Sequence, residues 1–363
     1  MITDKDSLLA WKRRAGSQAA GRTVLDLEAD SLHRYREKLC LIQYADAEGV
    51  EVIDPLVIED MRPFALWLES TEVWMHGADY DMSLLQNSYG VLPKLILDTQ
   101  IAARLLGFRQ FGLAALVEHY FGICLSKANQ KADWGCRPIT PDMLEYAQGD
   151  VTYMLEMADT MVAELRRLGR YDWFIESCVC SMERARQRFG SGHADAWRIK
   201  GSGKLRRRGL AALRTLWRWR AQEAEEWDRP AFMVCSNDDL LRWSQQLQEF
   251  RTPSPFPRGN SARISRFHRA VEYFQLLDEE EYPALPKPVR HQHPPHFERK
   301  LESWLARRDA VANELQLEPS LIASRMQVEA IANNEGEGLA QLMEWQRSLL
   351  CSAAQGTARA PRR

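Results

Sequence analysis

The stretch Thr23-Val24-Leu25-Asp26-Leu27-Glu28 sets two carboxylates two residues apart in an alternating run. Period-2 alternation predicts a β-strand, with Asp26 and Glu28 on one face and Leu25 and Leu27 on the opposite, apolar face. Adjacent carboxylates on one sheet face repel, and Asp is disfavoured inside strands. A hard divalent cation with oxygen ligands removes that penalty; a strand edge open to water also tolerates it. Outward from this strand, Leu39 to Tyr44 and Val50 to Asp54 read as two more strands. Their short polar connections predict antiparallel neighbours. A helix around Pro63 to Glu69, a strand at Val73 to His76, a helix over Asp79 to Tyr89 and a short strand at Leu95 to Leu97 follow. The chain is then mainly helical to about Leu168. Strands first, then strand–helix alternation, predicts a mixed sheet flanked by helices.

Two further acidic positions fit that frame. Asp81 opens the helix that follows the strand ending at His76, and α/β sites form outside such strand ends. A first-turn Asp is also favoured simply by the helix dipole, which makes Asp79 a rival ligand. Tyr146 and Asp150 are four apart and therefore stacked on one helix face. Thr140 caps that helix and Pro141 suits its first position. Its core stripe is read as Leu144, Ala147, Val151, Leu155, Ala158, Val162 and Leu165, which leaves Tyr146 and Asp150 on a separate face.

The bulk numbers bound the rest. A length of 363 residues suggests two or three compact units, and 45% apolar with 27% charged residues is ordinary for a soluble globular protein. Seven cysteines, an odd number without a Cys-x-x-Cys pair, argue against a disulfide framework or a zinc site and point to a reducing compartment. No secretory signal and no membrane-spanning run is apparent, so a cytoplasmic protein is expected. The net charge of −2 conceals nine Lys/Arg and no acid between Trp197 and Gln222. Such a segment can contact nucleic acid, with Trp217 and Trp219 for base stacking; it is equally a solvated face with Trp217 in the core. Gly201-Ser202-Gly203-Lys204 imitates a phosphate loop but lacks its first Gly and its Ser/Thr, so no ATP site is expected.

A Gly/Ser-rich break at Gly190 to Gly203 reads as a linker into an all-helical region. Leu210, Leu213, Trp217, Ala221 and Ala224 form one stripe there, and Ser236 with Asp239 predicts a capped helix. Pro-rich stretches from Thr252 to Pro257 and from Tyr282 to Pro295 divide this region.

Taken together, the motifs resemble the ribonuclease D family of DEDD exonucleases, in its tyrosine-containing subclass. The matching segments are Leu25-Asp26-Leu27-Glu28, Leu39 to Gln43, His76-Gly77-Ala78-Asp79-Tyr80-Asp81, Asp98-Thr99-Gln100, Ala132-Asp133-Trp134 with Arg137-Pro138, and Tyr146-Ala147-Gln148-Gly149-Asp150. The resemblance implies a ribonuclease H-like α/β exonuclease domain, a mixed five-stranded sheet flanked by helices, over residues 1–175. A helix and linker over 176–204 would lead to all-α HRDC-like domains, the helical nucleic-acid-binding module shared with RecQ helicases. The first is expected at 205–285 and a divergent second at 295–355.

The family pattern assigns Asp26, Glu28, Asp81 and Asp150 as metal ligands and Tyr146 as the residue that orients or activates the attacking water. The implied cofactors are two divalent ions, Mg2+ or Mn2+, and the implied partner is RNA with a free 3′ end, such as tRNA precursors or other structured RNA. A monomer without membrane attachment is expected. Lys131, Trp134, Arg137, Arg206, Arg207 and Arg208 are the candidate substrate contacts, each also compatible with ordinary packing or a solvated face. Asp98 reads as a supporting or capping residue, and His76 and His33 as no ligands. A 3′–5′ DNA exonuclease and a non-catalytic RNA-binding adaptor on a dead nuclease scaffold are the competing functions.

Overall fold

The acidic strand lies at the centre of the sheet that it predicts. In the computed structural model, which describes residues 1–16, 22–190, 195–255, 260–285 and 293–352, α1 (Lys5–Ala15) precedes β1 (Val24–Ala29), β2 (Leu39–Asp46) and β3 (Gly49–Ile53). Then come α2 (Arg62–Ser70), β4 (Glu72–Met75), α3 (Asp79–Tyr89), β5 (Leu95–Asp98), α4 (Thr99–Leu106) and α5 (Leu113–Phe121). The five strands form one sheet in the order β3-β2-β1-β4-β5, antiparallel from β3 to β1 and parallel from β1 to β5. Both expectations hold: the first three strands are antiparallel neighbours and the sheet is mixed.

Strand alternation assigns the faces. Leu25 and Leu27 enter a core with Trp11 of α1 and Phe64 and Trp67 of α2, whose rings meet at centroid distances of 4.8–5.9 Å. Burying each such side chain contributes about 1.5–3 kcal/mol. On the opposite face Val24 and Ala45 join a second core with α4, α5 and the helices that follow, while Leu41 and Val52 pack against Met143 and Ala147.

The helix that opens at Thr140 is shorter than its periodicity suggests. Thr140 does accept the Met143 amide, with Pro141 in the first position, but α6 (Pro141–Thr152) stops at Tyr153 and α7 (Met154–Arg167) starts anew. The buried face nevertheless keeps one helical phase through both helices and lies to one side of the stripe read from the sequence. Met143, Met154, Met157 and Met161 are buried alongside Ala147, Val151, Ala158 and Leu165, whereas Leu144, Leu155 and Val162 are only partly so.

α8 (Tyr171–Gly190) runs through the expected boundary at residue 175, burying Phe174 and Cys178 in one core and Met182 and Ala185 in the other. Two compact units emerge. One comprises Met1–Ala29, Leu39–Gly190 and His291–Arg363; the other comprises Asp30–Lys38 and Ser191–Arg290. The second unit holds α9 (Arg207–Trp227), α10 (Ala231–Val234), α11 (Asn237–Gln248) and α12 (Ser261–Gln275) around Leu213, Leu216, Trp219, Trp243 and Phe267. Ser236 and Asp239 form the expected capping box on α11.

The last helices are α13 (Phe297–Leu315), α14 (Pro319–Ile322), α15 (Arg325–Asn333), α16 (Glu335–Ala340) and α17 (Glu344–Ser352). They share the core of the first unit instead of closing one of their own, which departs from a separate domain at 295–355. Trp345 stacks on Trp173 at 5.1 Å, the Glu176 carboxylate accepts the amides of Glu344 and Trp345, and buried Arg170 donates to the carbonyls of Leu105 and Leu315.

Candidate active site

Two strand positions and one helix turn converge. Asp26 and Glu28 on β1 and Asp150 on α6 each offer a carboxylate oxygen within 4.8 Å of the others. Asp81, in the first turn of α3, is buried at 8% exposure and close enough to raise the proton affinity of both Asp26 and Glu28. It flanks the tight triad without belonging to it. Its rival Asp79 is exposed and paired with Arg188 at 3.2 Å.

The electrostatics are unbalanced. Burial holds Asp26 well above the usual carboxylate range, and Asp81, Asp150 and Glu28 push it further. Burial together with Asp150 and Asp81 raises Glu28 to about 8. Asp81 rises to about 7 through burial, with Asp98 adding to the effect, and burial raises Asp150 to about 6 against the hydrogen bond from Tyr146. Among the described residues no Lys, Arg or His forms an ion pair with any of the four. Buried like charges without a counter-charge are costly, and a divalent cation bound by carboxylate oxygens supplies that charge. The donor set fits Mg2+ or Mn2+: hard oxygen ligands, with no sulfur or imidazole in the cluster.

Tyr146 sits one turn before Asp150 and donates its phenol to that carboxylate. Burial first, then the charges of Asp150, Glu28 and Asp26, raises its pKa above the ordinary phenol value. The phenol therefore stays protonated at neutral pH and acts as a hydrogen-bond donor. Its ring lies 6.0 Å from that of Trp134, which is 1% exposed.

Asp98 serves the site from behind. Its carboxylate accepts the amides of Gly77 (2.9 Å), Ala78 (3.1 Å) and Gln100 (2.7 Å), pinning the turn that delivers Asp81. Gly77 takes φ +66° there, and a Cβ would stand 3.0 Å from the Gln100 amide nitrogen. The ring of His76 is engaged with the Thr99 hydroxyl at 2.9 Å.

The candidate substrate residues fare differently. Arg137 clamps buried Asp54 through two hydrogen bonds of 2.6 and 2.7 Å and donates to the carbonyls of Trp134, Cys136 and Cys40. Arg137 and Trp134 thus fasten the loop before α6, and only Lys131 of that trio is exposed. Arg207 donates to the carbonyls of Glu279 and Tyr282, and Arg208 to the Leu247 carbonyl and the Tyr282 hydroxyl. Arg206 has an exposed side chain. Trp219 is buried against Trp243 and Phe267 and offers no stacking face.

Two grooves escaped the sequence reading because neither has a local motif. One of about 640 Å3 runs past Tyr146 and Asp150 between α6 and the segment from Ile123 to Asn129. The other, about 490 Å3, lies between α9 and α12, with Arg218, Arg269 and exposed Tyr273 in its wall.

Residues 1–166 match the family model described as a 3′–5′ exonuclease. Ribonuclease D of Cronobacter turicensis is 30% identical over 347 residues, covering 92% of this chain and 91% of the relative. Ribonuclease D of Escherichia coli is likewise 30% identical, covering 92% and 89%. The crystal structure of Escherichia coli RNase D, described as an exoribonuclease involved in structured RNA processing, superposes with a TM-score of 0.73 at 28% identity over 99% of both chains. A protein from Bifidobacterium adolescentis shares the fold, with a TM-score of 0.79 at 22% identity, covering 98% of this chain and 96% of that one. With a carboxylate cluster that fits a divalent cation, a mixed five-stranded sheet and relatives matched over most of their length, the chain belongs to the ribonuclease D family of 3′–5′ exoribonucleases.

Proposed function

We propose that this enzyme trims structured RNAs, tRNA precursors among them, from a free 3′ end. In this reading it releases nucleoside 5′-monophosphates as a cytoplasmic monomer, using two divalent ions, Mg2+ or Mn2+. The observation that carries the reading is the approach of Asp26, Glu28 and Asp150 to within 4.8 Å, with Asp81 beside them and, among the described residues, no Lys, Arg or His in an ion pair with them.

Ions held there supply Lewis-acid polarisation of the scissile phosphate and make water a better nucleophile at neutral pH. Asp26, Glu28 and Asp150 would hold a divalent ion between them, and Asp81 beside them would help to hold the second. Tyr146, protonated and fixed to Asp150, orients the attacking water rather than removing its proton. Asp98 keeps Asp81 in place. The groove beside Tyr146 and Asp150 is open to the terminal nucleotide, with Lys131 exposed on the loop before α6. On the helical unit, Arg206 and the groove formed by Arg218, Arg269 and Tyr273 are the RNA contacts; phosphates meet the guanidinium groups and a base stacks on the tyrosine.

The test is a matched set of RNA and DNA oligonucleotides, labelled at the 3′ or the 5′ end, incubated with Mg2+ or Mn2+ and with EDTA. Immediate release of a labelled mononucleotide from 3′-labelled RNA, stopped by chelator, is the expected result. Faster DNA turnover would make the enzyme a DNA exonuclease, and binding without turnover would make it an adaptor.

A further inference from the structure

The sheet face that carries Asp26 holds a second anomaly. Gln43 of β2 is directly opposite Asp26 in the antiparallel register, so both side chains rise from the same face with Cβ atoms about 5 Å apart. On its other side Gln43 pairs with Val52 of β3, which packs under α6 against Met143 and Ala147. Gln43 is 0% exposed, yet both its Nε2 and its Oε1 lack a hydrogen-bond partner. Among the described residues it is the one side chain orphaned at both ends; the others so buried are single atoms, mostly indole nitrogens.

Leaving a buried amide unsatisfied costs about 1–3 kcal/mol, and a leucine or methionine would fill the same volume without that penalty. A fold selected for stability alone has no use for glutamine here. The neighbour that gives it one is Asp26. A carboxylate that must stay ionised in a buried site gains from a charge-assisted donor, and an amide nitrogen at cross-strand distance can provide it.

We propose that Gln43 is a positioning residue for cation binding: its amide nitrogen donates to the ionised Asp26 carboxylate and its carbonyl oxygen accepts from a hydrating water of the loaded site. Partners behind a metal ligand fix its orientation, and removing them lowers metal affinity about 10–100-fold. The inference rests on the metal-binding reading above, and its test separates the two.

Gln43→Met, with Gln43→Leu as a second shape, is compared with wild type and Asp26→Asn by thermal unfolding and by Mn2+ titration calorimetry on the full chain without RNA. In EDTA both Gln43 variants are expected to unfold at or above the wild-type temperature, because the orphaned amide is gone. With Mn2+ they are expected to gain less stability than wild type and to show a Kd about tenfold higher. Variants that bind Mn2+ as tightly as wild type overturn the proposal. So do variants that lose equal stability with and without the ion, since Gln43 would then be a packing residue. A wild-type protein that Mn2+ stabilises no more than Asp26→Asn would remove the metal-binding reading itself.

Discussion

Two charge clusters in this chain differ in what the fold does with them. On β1, α3 and α6, four carboxylates lie in or beside one small volume with no basic partner among the described residues. At the start of α9, the consecutive Arg206, Arg207 and Arg208 look like a phosphate-binding comb. Two of them instead donate to carbonyls and a hydroxyl of the 279–282 turn and to Leu247. Charge that the fold neutralises or solvates internally holds the fold together. Charge that the fold concentrates and leaves uncompensated awaits something from outside.

The sharpest way to break this contrast is to remove one uncompensated charge. Asp26→Asn keeps the shape of β1 but removes the carboxylate at the centre of the cluster. RNA turnover with saturating Mn2+ should fall by about a thousandfold or more, equivalent to about 4 kcal/mol of barrier. RNA binding should persist. A variant retaining a tenth of wild-type turnover would sink the assignment of Asp26.

Stability should respond in the opposite sense at the compensated charges. Partly buried Arg137 and buried Asp54 form a two-bonded pair. Arg137→Met strands the Asp54 carboxylate, which should cost about 3 kcal/mol in urea unfolding. Restoration by the double variant Arg137→Met/Asp54→Asn to within about 1 kcal/mol would establish that the loss is the stranded charge.

The uncompensated cluster also predicts an inverted pH response. In the unfolded chain Glu28 releases its proton near the ordinary 4.5, but in the folded cation-free protein it holds that proton to about 8; Asp81 and Asp150 titrate at about 7 and 6. Between pH 4.5 and 8 the folded state therefore binds more protons than the unfolded state, and these groups remove stability as pH rises. In EDTA, Glu28→Gln should raise Tm at pH 8 by a few degrees and leave it nearly unchanged at pH 4.5. Mn2+ should reverse the trend in wild type, since binding needs the ionised carboxylates. Equal effects of Glu28→Gln at both pH values would contradict the raised titration of Glu28.

What could be read from the chain beforehand follows from which interactions are local. Strand alternation around Asp26, the Thr140-Pro141 helix start and the Ser236–Asp239 box are each written within a few residues, and each is present in the fold. The break at Tyr153 has no proline or glycine to announce it, and the buried methionines of α7 lie on the flank of the stripe read through Leu144, Leu155 and Val162. The home of α13–α17 was illegible for a related reason. Amphipathic periodicity says that a helix has a partner, but the stacking of Trp345 on Trp173 depends on residues far apart in the chain. Asp98 lay between the two cases: its position at a strand end was visible, but the three amides that it accepts were not.

The smallest expected effect tests the helical unit, where the contrast between engaged and available arginines is finest. Arg218 and Arg269 line a groove with Tyr273, and Arg206 is exposed, whereas Arg207 is tied to the carbonyls of Glu279 and Tyr282. A phosphate contact releases about one counterion, so losing it flattens the dependence of log K on log salt by nearly one unit for each contact on duplex RNA and somewhat less on a single strand. Arg218→Gln with Arg269→Gln should flatten the slope by about one to two units while leaving Tm within a degree or so of wild type, and Arg206→Gln by less than one. Arg207→Gln should do the reverse, lowering Tm without moving the slope, because its guanidinium secures a turn. An Arg207→Gln protein of wild-type stability with a flattened slope would return the basic run at α9 to the role that its sequence first suggested.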